Sequence, residues 1–352
     1  MKKIRVGFDV SPLYSSHSIR GIGFYTKRLL EALKREKEID VVEIENKNDL
    51  KKKNYDLLHI PYFSPFTISL PLNSKVPFTV TVHDLISIKY PHLYTKGIKG
   101  IIKWQIQKNL LKKSALIFTD SQASKKDILS ITGYPKEIIV TLLAAGEGFK
   151  KIPNSSMILK QTVKKFKLPD RFVLYVGDVN CNKNIPALVK ACQDLDTCLV
   201  VAGKQAANQD YDKSHPENQH LLFLQKTARK DNRIILAGFL SHEELVAVYN
   251  LATVYVQPSI DEGFGLPVLE AMACGCPVIS SNKGSLPEVV SHAAVLVEPT
   301  EKNIVSSMKM IFNSKLQREK FSRLGLLRAK QFSWEKTARK TIDGYKKVLK
   351  VI

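Results

Sequence analysis

Short apolar runs alternate along this chain with longer segments in which apolar residues recur every three or four positions. Residues 4–10 (IRVGFDV) form the first run, and a loop through residues 11–19 follows it. The next segment places Leu29, Leu30 and Leu33 on one face of a predicted helix. Buried strands that are separated by helices are typical of an α/β fold with a parallel sheet.

The same pattern predicts strands and helices in both halves of the chain. The strands span residues 57–61, 78–82, 116–120, 138–142, 172–176, 234–239, 253–257 and 277–280. Helices are predicted at residues 121–129, from residue 186, from Ser241 with a capping box to Glu244, and from residue 332 to residue 351.

The chain is long enough for two domains that each bury a core, since it has 352 residues. Residues 150–169 are polar and rich in lysine, which is typical of an interdomain linker. We therefore predict two doubly wound α/β domains, residues 1–165 and residues 166–331, followed by a long terminal helix.

Composition excludes several classes of protein. The hydrophobic fraction of 44% is that of a soluble globular protein, and no run approaches the roughly 18 apolar residues of a membrane helix. The N-terminus has the charge of a signal peptide, but Asp9 interrupts its short apolar segment, which predicts a cytoplasmic protein. All five cysteines lie in the second half without zinc-ligand spacing, so we expect reduced, structural thiols.

The net charge of +21 is unevenly distributed. Residues 1–165 contain 29 Lys and Arg against 14 Asp and Glu, whereas the remainder contains 25 against 19. This excess suggests a polyanionic partner for the first half: nucleic acid, an anionic membrane surface or a phosphorylated acceptor. The alternative is that lysines simply cover solvated faces, and the charge alone does not choose between these interpretations.

Residues 94–113 (YTKGIKGIIKWQIQKNLLKK) carry part of this charge. On a helical wheel, one side carries Lys96, Lys99 and Lys103. Another side carries Ile98, Ile101, Ile102 and Ile106. Two interpretations remain open: a solvated lysine face over a helix that belongs to the core, or a patch that contacts a membrane surface.

The strongest candidate for chemistry is residues 257–288 (QPSIDEGFGLPVLEAMACGCPVISSNKGSLPE). Gly263 and Gly265 favour a turn in which the backbone approaches a ligand closely, and a helix follows whose N-terminal N–H groups can bind phosphate. Glu262 and Glu270 bracket this turn and are suited to accept hydrogen bonds from sugar hydroxyls. The stretch is typical of a nucleotide-sugar pocket, although an ordinary turn with two solvated acids has the same local pattern.

Two other segments contribute candidate residues. His83 and Asp84 follow a predicted strand and should point into the crevice at the carboxyl edge of a doubly wound sheet. Gly21 and Gly23 open the first helix. Thr26 stands where a dinucleotide-binding fingerprint needs another glycine, so no NAD site is predicted.

The stretch at residues 257–288 resembles the signature of the family 4 glycosyltransferases, which have the GT-B fold. That signature runs Pro-Ser, two residues, Glu-Gly-Phe-Gly-Leu-Pro, two residues, Glu-Ala-Met-Ala, one residue and Gly. Its fixed positions are occupied here by Pro258, Ser259, residues 262–267, residues 270–273 and Gly275. The segments TDSQASKKDI and SNKGSLPEVV are also similar to elements of the family, so the resemblance covers nearly the whole chain.

The resemblance implies two Rossmann-like domains that face a central cleft, with the acceptor on the side of residues 1–165 and the donor on the side of residues 166–331. The C-terminal helix, residues 332–352, is expected to cross back onto the first domain. The implied activity is retaining transfer of a hexose, here a mannose-like sugar, from a nucleotide diphosphate sugar to a hydroxyl of a glycan or lipid-linked acceptor. Such enzymes build cell-surface polysaccharides or glycolipids, which suggests a peripheral position on the inner face of the membrane.

The site residues of the family correspond to named positions in this sequence. His83 and Glu262 are expected to be the catalytic residues. His83 is expected beside the transferred sugar, with Asp84 holding the loop or orienting His83, and Glu262 is expected on the sugar hydroxyls. Glu270 is expected to bind the ribose. Lys183 matches the lysine that pairs with the pyrophosphate. The backbone groups expected to face the donor belong to Gly21, Gly23, Gly238, Phe239, Gly263, Phe264, Gly265 and Leu266.

Two positions depart from the family. Phe24 stands where related mannosyltransferase-like members often have an arginine, and Asn182 stands where the members have an arginine beside the lysine. The second departure removes a cation from the expected pyrophosphate site, which either weakens donor binding or leaves its role to another cation, such as Lys204.

Neither a metal nor a cofactor is predicted. Asp194 and Asp196 have the Asp-x-Asp spacing with which GT-A transferases hold a metal, but they follow a helix in a polar loop and are interpreted as solvated. Lys183, loop amides and helix N-termini can neutralise a pyrophosphate instead. Two alternatives remain: another GT-B enzyme, such as a sugar-phosphate phosphorylase or an epimerase, and a basic nucleic-acid-binding protein. The second is disfavoured because the sequence has no RRM, helix-turn-helix or zinc pattern, so no nucleic acid partner is predicted.

Overall fold

The computed structural model describes residues 3–15, 21–46, 49–52 and 54–350, and the chain divides into two compact units. Unit 1 comprises residues 1–91, 96–143 and 332–352, and unit 2 comprises residues 92–95 and 144–331. The structure thus divides the chain between Leu143 and Ala144, earlier than the boundary predicted after residue 165. Residues 16–19 of the predicted first loop lie outside the described residues.

Unit 1 is built on a six-stranded parallel sheet with the strand order β2-β1-β3-β4-β5-β6. Its strands are β1 (Ile4–Asp9), β2 (Ile39–Ile44), β3 (Leu57–Ile60), β4 (Phe78–Thr81), β5 (Leu116–Thr119) and β6 (Ile138–Val140). Its first five helices are α1 (Gly21–Lys34), α2 (Asp49–Lys52), α3 (Ile86–Lys89), α4 (Ile98–Lys113) and α5 (Gln122–Thr132). The three strands β3, β4 and β5 are buried at every position, as expected for the centre of a parallel sheet.

Unit 2 contains a second six-stranded parallel sheet, with the order β12-β11-β10-β7-β8-β9. Its strands are β7 (Phe172–Val176), β8 (Cys198–Ala202), β9 (Ile234–Gly238), β10 (Val254–Gln257), β11 (Val278–Ser281) and β12 (Val295–Val297). Its helices are α6 (Met157–Phe166), α7 (Ile185–Asp194), α8 (Lys204–Ala207), α9 (Gln219–Ala228), α10 (His242–Leu251), α11 (Leu266–Ala273), α12 (Leu286–Val290), α13 (Glu301–Asn313) and α14 (Lys315–Ala329). The strand order reverses between β7 and β10, which defines the topological switch point of this sheet.

The last helix, α15 (Trp334–Leu349), belongs to unit 1 and confirms the predicted return of the C-terminus. Ser333 caps it by accepting a hydrogen bond from the Lys336 N–H at 3.2 Å. The buried Tyr345 ring meets Phe118 of β5 edge to face, with the ring centroids 5.8 Å apart. A Cβ at Gly344 would lie 2.6 Å from the Phe118 ring, so the glycine permits this close approach.

The structure confirms the predicted fold class, adds the strands β2, β8 and β12 that were not predicted, and corrects one local prediction. The lysine-rich segment that was predicted to be a linker contains helix α6, whose buried face includes Leu159. The predicted capping box is present, because Ser241 and Glu244 exchange hydrogen bonds of 2.9 and 3.2 Å. Within the described residues, no helix combines the length and apolarity needed to cross a bilayer.

Candidate functional site

The switch point of the second sheet brings together two loops that the sequence analysis treated separately. One follows β7 and contains Lys183, and the other follows β10 and contains Glu262. Because β7 and β10 are parallel neighbours, their carboxyl ends lie at the same edge of the sheet. Ligands of doubly wound sheets bind in the crevice at this edge.

Lys183 and Glu262 form an ion pair at this edge. The Lys183 Nζ atom lies 2.7 Å from Glu262 Oε1 and 2.8 Å from Oε2, and the Glu262 side chain is buried. An ammonium group carries three N–H donors, so one donor remains available for a phosphate oxygen when two contact the carboxylate. The lysine predicted for the pyrophosphate and the acid predicted for the sugar are therefore direct partners.

Two polar side chains from the end of β10 hold the Glu262 carboxylate in place. Gln257 Nε2 donates to Oε1 at 2.8 Å, and the Ser259 hydroxyl donates to the same oxygen at 2.7 Å. The side-chain oxygen of Gln257, Oε1, in turn accepts a short hydrogen bond from the Tyr255 hydroxyl. Oε1 thus accepts three hydrogen bonds, which leaves the lone pairs of Oε2 as the better acceptor for a ligand hydroxyl.

Asn182, which replaces the family arginine, ties the two loops together. Its Nδ2 donates to the Asp261 carbonyl at 3.0 Å, and its own carbonyl accepts from the Ile260 N–H at 2.8 Å. Its Oδ1 accepts a 2.7 Å hydrogen bond from the Tyr94 hydroxyl, which belongs to the short segment of unit 2 at residues 92–95. The buried Asn182 side chain therefore holds the two loops together at the position where the family has a cation.

A glycine lies at the carboxyl end of each of the adjacent strands β7, β8 and β9, and these glycines let the backbones of the three strand ends approach one another closely. Gly203 donates its N–H to the Gly238 carbonyl at 2.8 Å, and a Cβ at Gly203 would collide with the Gly177 carbonyl. Gly177 and Gly238 have φ values of 139° and 69°, which favour glycine. Phe239, predicted with Gly238 to contact the base, is exposed at the end of β9.

The loop from Gly263 to Leu266 leads directly into helix α11. Gly265 is the N-cap with φ of 95°, and a Cβ there would lie 2.7 Å from the Leu286 side chain. Phe264 is buried, which anchors the loop. The N-terminal amides of α11 therefore lie beside the β10 loop that carries Glu262.

Glu270 lies one turn into α11 and is buried. Its Oε2 accepts a 3.0 Å hydrogen bond from the Tyr249 hydroxyl of α10. Burial raises the pKa of the Glu270 carboxyl to about 7, and the Tyr249 hydrogen bond only partly opposes this effect. The ionised form of such a buried carboxyl is stabilised when a ligand hydroxyl donates a further hydrogen bond to it.

The predicted site residues of the first half lie in unit 1. His83, just after β4, contacts Asp120 of the neighbouring β5 end, with 2.6 Å between Nδ1 and Oδ2. Its Nε2 lies 3.2 Å from the Pro61 carbonyl, so both ring nitrogens face acceptors. Asp84 instead accepts a hydrogen bond from the Ile86 N–H at the start of α3, and so it holds the loop.

Asp120 and burial have opposite effects on the pKa of His83. Burial lowers the pKa of its imidazole, but the charge of Asp120 and the hydrogen bond to it raise the pKa, so the net shift is upward. Burial raises the pKa of the Asp120 carboxyl, and His83 offsets part of that rise. Asp120 Oδ1 is buried with no hydrogen-bond partner among the described residues, so the contact of Oδ2 with His83 is the main compensation for burying this carboxyl.

Gly21 and Gly23 lie in the first turn of α1, where Gly23 is buried and Gly21 is exposed. They belong to unit 1, with His83 and Asp84, whereas the other predicted site residues belong to unit 2. Sequence reasoning missed Asp120, although it ends a predicted strand beside the one that precedes His83. Parallel pairing of these strands was the signal that could have identified it.

The predicted Asp-x-Asp alternative is solvated. Asp194 and Asp196 are both exposed, and Asp196 accepts a short hydrogen bond from Arg233. Across the described parts of the chain, no group of three or more His, Cys, Asp or Glu side chains is arranged to hold a metal ion.

Comparison with family models matches nearly the whole chain in two parts. Residues 5–142 match the model described as Glycosyltransferase Family 4, and residues 159–326 match the model described as Glycosyl transferases group 1.

Two curated relatives from Escherichia coli are named mannosyltransferases. The chain is 31% identical over 293 residues to the serotype-specific mannosyltransferase WbdA, covering 81% of this chain and 35% of WbdA. It is 28% identical over 395 residues to the O-antigen chain mannosyltransferase B, covering 97% of this chain and 100% of the relative. The chain thus spans about a third of WbdA and the full length of the second relative.

Solved structures share the fold at lower sequence identity. The sucrose-phosphate synthase of Thermosynechococcus elongatus has a TM-score of 0.78 and 19% identity, over 99% of this chain and 100% of that chain. Anabaena HepE in complex with UDP and glucose has a TM-score of 0.72 and 14% identity, over 98% and 99% of the two chains. These likenesses confirm the GT-B architecture of this chain.

Proposed function

We propose that this chain, which belongs to the family 4 glycosyltransferases, transfers a hexose from a nucleotide diphosphate sugar to an acceptor hydroxyl. The hexose we propose is mannose, because both E. coli relatives described above are named mannosyltransferases. The acceptor we propose is a glycan or lipid-linked saccharide at the inner face of the membrane, where cell-surface polysaccharide or glycolipid is built.

The observation that carries this proposal is the Lys183–Glu262 pair at the switch point of the second sheet. A cation next to a buried, hydrogen-bonded carboxylate offers adjacent contacts for a phosphate and for a hydroxyl. A nucleotide diphosphate sugar has these two groups next to each other, since its pyrophosphate is bonded to the sugar. The pair therefore fits the bond that a glycosyltransferase breaks.

In the proposed reaction the acceptor oxygen bonds to the anomeric carbon of the sugar, and the nucleoside diphosphate leaves with the electron pair of the bond that joined its pyrophosphate to that carbon. The proton of the acceptor hydroxyl passes to the departing phosphate. The Lys183 ammonium and the amides of residues 263–266 would stabilise the charge that develops on it, a role for which each donor is worth about 3 kcal/mol in comparable sites. Glu262 Oε2 would accept from a sugar hydroxyl, and Glu270 from the ribose. The base would lie against Gly238 and Phe239.

The stereochemical course and the metal requirement follow from the family resemblance. We propose retention of configuration, with no metal ion in the donor site, because a lysine and a helix N-terminus can neutralise a pyrophosphate. His83, whose ring Asp120 holds in place through Nδ1, is the predicted contact for the transferred sugar. No other cofactor is proposed.

The test begins with nucleotide binding in the presence of EDTA. GDP, UDP and ADP are compared by thermal shift, and Glu270→Ala is compared with Glu319→Ala, which removes an exposed acid of unit 2. We expect one nucleotide to raise the melting temperature of the wild type and of Glu319→Ala, but not of Glu270→Ala. Absence of stabilisation by every nucleotide, or an equal response of both variants, would overturn the site assignment.

The second stage measures transfer with the matching nucleotide sugar. NMR of the first product determines the configuration of the new bond, and inversion would refute the proposed retention. Loss of transfer in EDTA that Mg²⁺ restores would refute metal independence. Transfer of glucose or galactose in preference to mannose would refute the proposed sugar and leave the site assignment intact.

A further inference from the structure

Helix α4 has apolar residues on two opposite faces, and the structure shows which of them enters the core. The face toward unit 1 consists of Trp104, Gln107, Leu110 and Leu111, all of which are buried. The opposite face carries Ile98, Ile101, Ile102 and Ile106, with exposed fractions of 79%, 49%, 56% and 40%. The interpretation that made α4 an ordinary core helix under a lysine face leaves this isoleucine face unexplained.

Contacts on the inner side fix the rotation of α4 about its axis. The Gln107 amide nitrogen donates to the Ser64 and Thr67 carbonyls at 2.8 and 2.7 Å, and all three residues lie in unit 1. The Trp104 ring packs edge to face on Phe63, with centroids 6.5 Å apart. The isoleucine face therefore cannot turn inward without breaking a buried amide network.

Lysines surround the isoleucine face. At 100° per residue, Lys99 and Lys103 fall on one border and Lys108 on the other, while Lys112 and Lys113 fall on the face itself, at the C-terminal end of the helix. Lys108 also donates to the Ile131 carbonyl at 2.8 Å, which holds its stem against the unit. The sequence of α4 contains no acidic residue. Exposed apolar side chains surrounded by lysines are typical of helices that lie in the plane of a membrane interface.

Such a face could bind a second copy of the chain or a bilayer surface, and the charge pattern favours the bilayer. A second copy of the chain would bring lysine borders against lysine borders, and the repulsion would oppose the apolar contact. An anionic bilayer neutralises the same lysines, whose long stems allow the ammonium groups to reach the phosphates while the isoleucines enter the acyl boundary.

We propose that α4 is a membrane-docking helix that binds the surface of an anionic phospholipid bilayer through its four exposed isoleucines and its bordering lysines. Soluble monomers rarely expose a contiguous apolar patch on one helix without a partner. The proposal concerns unit 1 alone, and it stands whether or not unit 2 binds a nucleotide sugar.

Co-sedimentation with lipid vesicles tests this proposal with the full chain and no donor. The vesicles contain phosphatidylcholine alone or phosphatidylcholine with about 30% phosphatidylglycerol. The test variant is Ile98→Ser/Ile102→Ser. The matched control is Met157→Ser/Leu316→Ser, which removes two apolar side chains of unit 2 that are 71% and 72% exposed. A third variant, Lys99→Gln/Lys103→Gln, removes charge from one border of the helix.

We expect the wild type and the control to bind the anionic vesicles equally, with much weaker binding to phosphatidylcholine. The isoleucine variant should bind at least about tenfold more weakly, because two side chains no longer leave water. The lysine variant should lose affinity for anionic vesicles and depend less on salt. Unchanged melting temperatures show that the exposed substitutions leave the fold intact.

Four results would overturn the proposal. The first is wild-type protein that does not bind anionic vesicles. The second is binding that the isoleucine variant and the control lose equally. The third is a wild-type dimer, detected by sedimentation velocity, that the isoleucine substitutions convert to monomer, since this would make a second copy the occupant. Salt-sensitive binding to RNA or DNA that competes with vesicles would likewise refute a lipid-specific surface.

Discussion

Replacing Glu270 with glutamine should remove part of the dependence of the unfolding free energy on pH. Burial raises the pKa of the Glu270 carboxyl from the ordinary 4.5 to about 7 in the folded protein. The folded state therefore holds this proton more tightly than the unfolded chain. The resulting stability is fully present below about pH 4.5 and is lost as the pH rises through 7.

The size of the effect follows from the two pKa values. A difference of one pKa unit corresponds to 1.36 kcal/mol, so moving the Glu270 pKa from 4.5 to about 7 costs the ionised folded state about 3 kcal/mol. About 1 kcal/mol of this cost is already present near pH 5.5, which leaves about 2 kcal/mol between pH 5.5 and pH 8. For a unit of 150–250 residues, that amounts to a change in melting temperature of about 4–8 °C.

The assay compares thermal melts of the wild type and Glu270→Gln across this pH range. Glutamine keeps a carbonyl oxygen for the Tyr249 hydroxyl but does not titrate. Other groups titrate equally in both proteins, so the difference between the two curves isolates Glu270. The variant should gain stability relative to the wild type as the pH rises. Parallel curves would refute the assignment of a raised pKa to this carboxyl.

Nucleotide binding should show the opposite dependence on pH. If ribose hydroxyls donate to the ionised carboxylate, only the ionised fraction of the protein binds well, and that fraction is about one tenth at pH 6. Wild-type affinity should therefore rise up to about tenfold between pH 6 and pH 8, whereas Glu270→Gln should bind weakly and without this rise. An equal rise in both proteins would show that Glu270 does not contact the nucleotide.

Three further substitutions test other parts of the structure. Lys183→Met should lower the unfolding free energy, measured by denaturant titration, by about 2 kcal/mol. The loss is smaller than for a fully buried ion pair because the lysine is partly exposed. Adding Glu262→Gln should restore more than half of the loss, because the unpaired carboxylate is then removed. Asp120→Asn should lower the pKa of His83 in NMR titrations, and an unchanged pKa would contradict the proposed pairing. Gly284→Ala should lower the melting temperature, because φ of 57° and a clash with the neighbouring loop both oppose a side chain; a wild-type melt would contradict this.

Nine of the twelve described strands were predictable from sequence, including the edge strands β6 and β9, and three were not: β2, β8 and β12. Buried apolar runs identify β3, β4 and β5, because both faces of a central strand are covered. Strand β2 is only partly buried, and Asp40 and Glu43 interrupt its apolar positions. Strands β8 and β12 are short apolar runs, which periodicity alone does not distinguish from part of a helix. The predicted linker contains helix α6 because a few buried positions, such as Leu159 and Thr162, are enough for an otherwise polar helix to pack against its unit.

The candidate site was predictable as residues but not as contacts. The motif identified Glu262, Glu270 and Lys183 individually, yet the Lys183–Glu262 pair joins positions 79 residues apart. Their meeting depends on the strand order, which sequence periodicity does not encode. The partner of His83 is likewise Asp120 from the neighbouring strand rather than the adjacent Asp84. Local spacing could not distinguish the two faces of α4, because both are apolar.

The return of α15 to unit 1 has a consequence for biosynthesis. The buried contacts of Tyr345 with Phe118, and the hydrogen bond from Thr337 to the Leu142 carbonyl, join segments separated by about 200 residues of chain. Unit 2, apart from residues 92–95, is one continuous segment that emerges from the ribosome before α15. Folding of unit 1 therefore finishes last, although its first strand is made first. A chain that stops short of residue 332 leaves the ring of Phe118 without this cover, so we expect a prematurely terminated chain to expose apolar surface and to aggregate.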